Sequence, residues 1–239
     1  MSKKNKEGFE TRAIHAGQKA DPTTGAVMMP IYTSSTFEQE SPGVHKGFDY
    51  SRSINPTRKA FEECIASLEN GEVGFGFSSG VAAISACVEL LAPGDHVIAM
   101  NDLYGGTVRL FNEIKTLSQG IEVTYVDMTD IQNVLDAKTD KTKMIFVETP
   151  TNPLLRVVDL SAIADFAKSE GILSVCDNTF ASPYVQQPLI QGIDIVLHSA
   201  TKYLGGHSDL IAGALVIGKK DEELICLLYT SDAADEGLG

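Results

Sequence analysis

From Val73 onward, short apolar runs alternate with stretches whose apolar positions recur at helical spacing. The runs Val73 to Phe77, His96 to Met100, Glu122 to Val126, Met144 to Val147, Leu173 to Cys176, Ile193 to Leu197 and Ala212 to Ile217 predict seven strands. Helical patterns lie between most of them, at Ala82 to Leu91, Tyr104 to Leu117, Ile131 to Ala137 and Leu160 to Ser169. A further helix is expected over Thr57 to Leu68, with Ala60, Phe61, Cys64, Ile65 and Leu68 on one face. Gly94-Asp95, Gly120, Gly171 and Gly192 each stand just before a strand, where a helix should stop. Repeated strand-helix units predict an α/β domain built on a mostly parallel seven-stranded sheet with both faces covered.

The flanks break this alternation. Residues 1–57 have weak periodicity and many turn residues, among them Asp21-Pro22-Thr23-Thr24-Gly25 and Ser41-Pro42-Gly43. They read as an extended N-terminal arm lying against something else, such as another subunit. Residues 58–225 then form the large domain. Residues 226–239, with the run CLLYTSDAADE, show neither a capped helix nor strand alternation. They read as a non-native tail, a translated library adapter, which would place the cut in the native chain near Ile225; the alternative is a natural acidic tail.

At 239 residues and 43% hydrophobic, the chain can bury a substantial core. Its formal net charge of -13 and lack of long basic runs argue against nucleic-acid partners and anionic membrane surfaces. The positively charged start has no apolar segment after it, so it is not a secretory signal. Cys64, Cys87, Cys176 and Cys226 are scattered without a CxxC pair and read as reduced core thiols of a cytoplasmic protein. The five histidines lack metal-ligand spacing, and no metal is expected.

In open parallel sheets, ligands bind beyond the carboxyl ends of the strands. Here successive strands deliver Ser78-Ser79-Gly80, Asn101-Asp102-Leu103-Tyr104, Glu148-Thr149 with Asn152-Pro153, Asp177-Asn178-Thr179 and His198-Ser199-Ala200-Thr201-Lys202 to that rim. A lysine held at the mouth of a sheet, with hydroxyls one and three residues before it, suits covalent attachment to a carbonyl beside a bound phosphate. Pyridoxal 5'-phosphate carries both groups. Ser79-Gly80-Val81 opens a helix whose free N–H groups suit the phosphate; the plainer alternative is a serine N-cap. Tyr104 can stack on the pyridine ring, or simply pack at a helix start. Asp177 can pair with the pyridinium N–H, or cap backbone amides. Asn152 can bond the ring's phenolic oxygen, or only initiate the turn at Pro153. Lys202 would form the Schiff base, its neutral amine favoured by nearby positive charge and partial burial, or is an ordinary surface lysine after a strand.

The segments TRAIHAGQ, PIYTSSTF, FDYSRSINPTR, FSSGVAA, DLYGGTVRLF, VETPTNP, CDNTF and SATKYLGGHSD, in this order, resemble the Cys/Met-metabolism family of PLP enzymes, of cystathionine γ-synthase and γ-lyase type. The resemblance implies PLP-dependent transferase fold type I, like aspartate aminotransferase. It makes Lys202 the Schiff-base lysine, Asp177 the pyridinium partner and Tyr104 the stacking residue that assists the leaving group. Ser79, Gly80, Val81, Ser199 and Thr201 hold the phosphate, although the family often has Met where Val81 stands. Tyr50 and Arg52 match arm residues that reach the phosphate of a neighbouring subunit, which implies a homodimer or homotetramer with a shared site. Arg109 matches a residue that handles the distal end of the substrate in some relatives, or is a solvated helix arginine. Gly106, in YGGT, is more like the cystathionine enzymes than the methionine γ-lyases, which tend to have cysteine there.

The implied activity is γ-replacement or γ-elimination on O-acyl-homoserine or cystathionine, in methionine and cysteine biosynthesis. Methionine γ-lyase and O-acylhomoserine sulfhydrylase are the alternatives within the family. The family's small C-terminal domain, with the arginine that grips the substrate carboxylate, is expected to be missing, so this chain alone should turn over little. Outside the family, Gly74-x-Gly76-x-x-x-Gly80 offers a dinucleotide fingerprint and an NAD-dependent oxidoreductase, though its spacing is one residue too long. An inactive binding fragment is the remaining alternative.

Overall fold

The computed structural model describes residues 7–218 and 224–228. Its centre is a seven-stranded sheet in the order β3-β9-β8-β7-β6-β4-β5. The strands are β3 (Val73–Phe77), β4 (His96–Met100), β5 (Glu122–Val126), β6 (Thr142–Glu148), β7 (Leu173–Asp177), β8 (Ile195–Ser199) and β9 (Gly213–Ile217). Pairings from β5 through β8 are parallel, while β9 runs against both neighbours, β8 and β3. The expected strands all form. The sixth is shifted toward its carboxyl end, because a 3-10 turn at Pro188–Gln191 closes on Gly192 at φ 101 and Asp194 turns away to bond Ser174.

The seven helices that follow the first one are α2 (Pro56–Leu68), α3 (Gly80–Val88), α4 (Gly105–Arg109), α5 (Thr116–Gln119), α6 (Ile131–Ala137), α7 (Leu160–Glu170) and α8 (Ser182–Val185). Every residue of β4 and β9 is buried, as a strand covered on both faces requires. Alternate residues of β9 enter different clusters. Leu215 and Ile217 join the main core with Ile84, Val97, Ile145 and Phe146, while Ala214 and Val216 pack with Ile65 and Ala66 of α2. Phe111 and Phe146 meet edge to face at 5.4 Å within the main core. α5 and α7 end on Gly120 and Gly171 at φ 72 and 65, a backbone region that disfavours a Cβ.

The arm is not wholly extended: it contains α1 (Phe9–His15) and an antiparallel pair, β1 (Gln39–Ser41) with β2 (Val44–His45). α1 packs on α2 through a buried Arg12, whose guanidinium bonds the Ser67 carbonyl and Asn70 Oδ1. The helix expected over Tyr104 to Leu117 is interrupted by a π-helical turn at Leu110–Lys115, where the buried Lys115 pairs with Glu89. Residues 224–228, partly inside the stretch read as a non-native tail without a capped helix, form a helical turn with Leu228 fully buried. The rest of that stretch lies outside the described residues. Of the thiols expected in the core, Cys87 and Cys176 are buried, Cys64 is half-buried and Cys226 is exposed. Among the described residues, no helix is long and apolar enough to cross a membrane.

The junction of arm and domain is fixed by Asn55. Its Oδ1 accepts the N–H groups of Thr57 and Arg58, with Pro56 at the first helical position. Its Nδ2 donates to the Tyr32 carbonyl and to Ser51 Oγ, tying the arm to the same cap. Asn55→Ala should cost about 1–2 kcal/mol, the upper part of the N-cap range, because both sets of bonds are lost. Urea unfolding checks this. A loss under ~0.5 kcal/mol would show that the cap does not hold arm and helix together.

Candidate active site

The strand ends converge as the topology demands. A cavity of about 210 Å³ opens at the carboxyl edge of the sheet. Ser79, Gly80, Val81, Tyr104, Asn152, Asp177, Ser199, Thr201 and Lys202 all line it, so nine of the residues singled out in the sequence share one space. Tyr50, Arg52 and Arg109 are not among its lining residues. Tyr50 and Arg52 sit on the arm, with the Arg52 guanidinium 5.0 Å from the Tyr50 ring centre. Arg109 is exposed in the last turn of α4.

At one end of the cavity α3 begins. Ser79 caps it, its hydroxyl accepting from Ala82 N–H at 3.1 Å. Gly80 is needed by close approach: a Cβ there would come within 2.7 Å of the Ser199 side chain. Gly213 on β9 lies equally close, where a Cβ would meet the Ser79 carbonyl at 2.1 Å. The backbone of this turn thus faces Ser199 with nothing between them. Thr201 also lines the cavity, but its hydroxyl exchanges hydrogen bonds with the Ala212 backbone.

At the other end lie two carboxyl groups. Glu148 and Asp177 are direct partners in the parallel ladder of β6 and β7. Both are buried, at 5% and 7% exposure, and both line the cavity. Burial first, then the Asp177 charge, pushes Glu148 up to about 8. Burial also raises Asp177, against the bonds that Thr179 donates to its Oδ1 from N–H (3.0 Å) and hydroxyl (2.5 Å). The Thr179 hydroxyl in turn accepts Ser199 N–H at 2.8 Å, joining the ends of β7 and β8.

Lys202 and Tyr104 line the same cavity. Lys202 follows β8 in a turn closed by bonds from its own N–H to Ser199 and from Gly206 N–H to its carbonyl. It is exposed, which corrects the expectation of partial burial: the cavity mouth at Lys202 is open to solvent. The Tyr104 ring, 45% exposed, lies over Gly106, where a Cβ would be 2.3 Å from ring carbon Cε1. Asp102 braces this side by accepting from the Thr151 hydroxyl and, at 3.1 Å, from Leu154 N–H.

The donor set fits the phosphate-bearing pyridine aldehyde expected from the sequence. A helix N-terminus with unobstructed backbone suits an anion. A buried carboxyl pair is relieved by a cationic N–H. An amine stands between them. The structure does not support the dinucleotide alternative. Gly74 and Gly76 lie inside β3, paired with Val216 and Ala214. Gly74 is glycine because a Cβ would strike the Glu62 carbonyl of α2 at 2.3 Å.

Sequence reasoning did not single out Glu148, Thr179, Phe180 or Ile211 as site residues, yet all line the cavity. Glu148 stood at a strand end next to apolar residues, a visible signal. Its opposition to Asp177 depends on β6 and β7 being neighbours in register.

Residues 10–231 match the family model described as Cys/Met metabolism PLP-dependent enzyme. The chain is 57% identical over 228 residues to a cystathionine β-lyase of Coxiella burnetii, across 95% of this chain and 59% of the relative. It is 49% identical over 219 residues to a cystathionine γ-synthase of Mycobacterium leprae, across 91% and 56%. The crystal structure of cystathionine γ-lyase from Lactobacillus plantarum, complexed with L-serine, superimposes with a TM-score of 0.92 at 49% identity, covering 95% of this chain and 59% of that one. The chain therefore spans less than two thirds of the length of these relatives.

Proposed function

Because the chain belongs to the Cys/Met metabolism PLP-dependent enzymes, we propose that it forms the cofactor-holding part of a trans-sulfuration enzyme acting on cystathionine or O-acyl-homoserine by γ-elimination or γ-replacement. The observation that carries this reading is the joining in one cavity of Lys202, the Glu148–Asp177 carboxyl pair and the Ser79–Gly80 turn. Bound pyridoxal phosphate supplies a carbonyl carbon that takes up amines and a ring that stores electrons.

The chain's own residues then have distinct tasks. Ser79, Gly80 and Val81 present N–H groups to the phosphate, helped by the hydroxyl of Ser199, and Thr201 joins them by turning its hydroxyl from the Ala212 carbonyl. The Asp177 carboxylate holds the ring N–H, kept in place by Thr179. Asn152 bonds the ring's phenolic oxygen. Lys202 Nζ anchors the cofactor covalently, then serves as base at the substrate α-carbon and proton carrier at the β-carbon. Tyr104 stacks over the ring and supports the leaving group. Arg109, just over one turn beyond Tyr104, takes the distal end of a long substrate.

Tyr50 and Arg52, away from their own chain's cavity, are proposed to complete the site of a second copy, as a homodimer or homotetramer. An arginine fork suits that phosphate contact. The cytoplasm is the proposed setting, consistent with the thiols of Cys64, Cys87 and Cys176.

A cystathionine β-lyase among the relatives gives a second reading, with cleavage on the other side of sulfur. Products separate the two. γ-Elimination of cystathionine with water yields cysteine, 2-oxobutanoate and ammonia; β-elimination yields homocysteine, pyruvate and ammonia. We expect 2-oxobutanoate, measured on the full product of the gene. The 239-residue chain alone should show little turnover while still binding pyridoxal phosphate. Pyruvate as the main product would favour the β-lyase reading. No reaction with cystathionine or O-acyl-homoserine by the full product would overturn the proposal.

A further inference from the structure

We propose that Glu148 is a positioning residue that ties the Tyr104 turn and the Asn152 segment to Asp177 at the inner end of the cavity. The role rests on the cofactor reading above. Glu148 Oε2 accepts the Tyr104 backbone N–H at 2.9 Å, the first donor of the turn that carries the ring. The Asn152 backbone N–H lies near the same carboxyl group and favours its charged form. Its Cα is the ladder partner of Asp177, so the carboxyl group that fixes the turn bearing Tyr104 also faces the group that receives the ring nitrogen. One side chain from a central strand thereby links two segments of the cavity wall, with the Asn152 segment beside it.

The charges around it give this arrangement a pH signature. Asp177 faces it from β7 and Asp102 from the loop after β4; both raise its pKa, adding to burial. His198 on β8 acts on the pair through Asp177, which it lowers, and Lys202 lines the same cavity. Glu148 is pushed from an ordinary 4.5 up to about 8. Between those values the folded, unloaded chain holds a proton that the unfolded chain has released. Stability of the unloaded protein therefore falls as pH rises through that window. A cation bound at Asp177 removes the repulsion and flattens the fall.

The test compares wild type, Glu148→Gln and Glu148→Ala. Glutamine keeps an oxygen acceptor of the same reach but cannot ionise. We expect Glu148→Gln to bind pyridoxal phosphate within about threefold of wild type and Glu148→Ala to bind at least about tenfold more weakly, the upper range for one lost hydrogen bond. The melting temperature of unloaded wild type should drop from pH 5 to pH 8, and that of Glu148→Gln should drop less. Equal affinity of Glu148→Ala and wild type would overturn the role. So would a Glu148→Gln variant as weak as alanine, or identical melting slopes. Failure of wild type itself to bind pyridoxal phosphate would sink the cofactor reading instead, and the melting slopes alone would then decide whether Glu148 and Asp177 are coupled.

Discussion

Lys202→Ala should abolish covalent capture of pyridoxal phosphate. Wild-type protein mixed with the cofactor should show a visible absorption band that borohydride fixes onto Lys202, located by peptide mass. The alanine variant should show none. The reason is positional: the amine is carried on a turn bonded to Ser199 at the end of β8, in the cavity that the start of α3 and the carboxyl pair also line. No other lysine lines the cavity, among the described residues. Asp177→Asn separates anchoring from ring binding. It should retain the label but weaken affinity by roughly 10- to 100-fold, the range for losing a hydrogen bond to a charged group. Label on a different lysine, or full labelling of Lys202→Ala, would remove Lys202 from the role.

Cutting the buried Glu69–His198 contact should be the most destabilising single change outside the cavity. Both side chains are completely buried, and His198 Nε2 stands 2.5 Å from Glu69 Oε1. Asn178 Nδ2 also donates to Glu69 Oε1, at 2.8 Å, and Asn178 is itself held by Gln186. Glu69 Oε2 and His198 Nδ1 have no hydrogen-bond partner among the described residues, so little is at hand to replace a lost bond. His198→Leu leaves a carboxylate in an apolar setting, at a cost of about 3–5 kcal/mol. Changing both residues to leucine should recover part of that, since the stranded charge goes. It should not recover all of it, because the Asn178 amide loses one of its two acceptors, worth ~1–3 kcal/mol, and keeps only the Gln186 carbonyl. Urea unfolding of the two single variants and the double variant gives the answer. Additive losses in the double variant would mean the pair does not act as a unit.

Glu69–His198 also shows why part of the fold was hidden in the sequence. β8 was legible as an apolar run, but a histidine in its buried interior signals only polarity. Its partner is at the far end of α2, and no local pattern joins them. α1 was missed for a related reason. Its inward position is Arg12, so the periodicity that identifies a helix carries a charge where an apolar residue is sought. The π-helical turn at Leu110–Lys115 also escaped, because one wider turn shifts the stripe by a single residue and then the pattern resumes. By contrast, β3, β4 and β5 were read to the residue. Apolar runs bounded by glycine or polar residues leave little freedom in placing their ends.

The candidate site was legible to the extent that the chemistry sat at strand ends. Asp177 and Lys202 terminate or follow apolar strands, and parallel sheets collect such termini on one edge. Glu148 met the same criterion but needed strand order to acquire meaning. Tyr50 and Arg52 were singled out by family resemblance only, and within one chain they stay outside the cavity.

The reversed strand β9 has a consequence for the order in which the chain can fold. β3 is made early, yet among the described residues its only partner in the sheet is β9, made more than a hundred residues later. Until β9 slots between β3 and β8, the Ser79–Gly80 turn has no Ser199 to lean against. On a ribosome, strands β4 to β8 can assemble as they emerge, while β3 waits as an unpaired edge exposed to mispairing and proteolysis. The wall of the cavity formed by the Ser79–Gly80 turn is thus completed last, after the Glu148–Asp177 pair already exists.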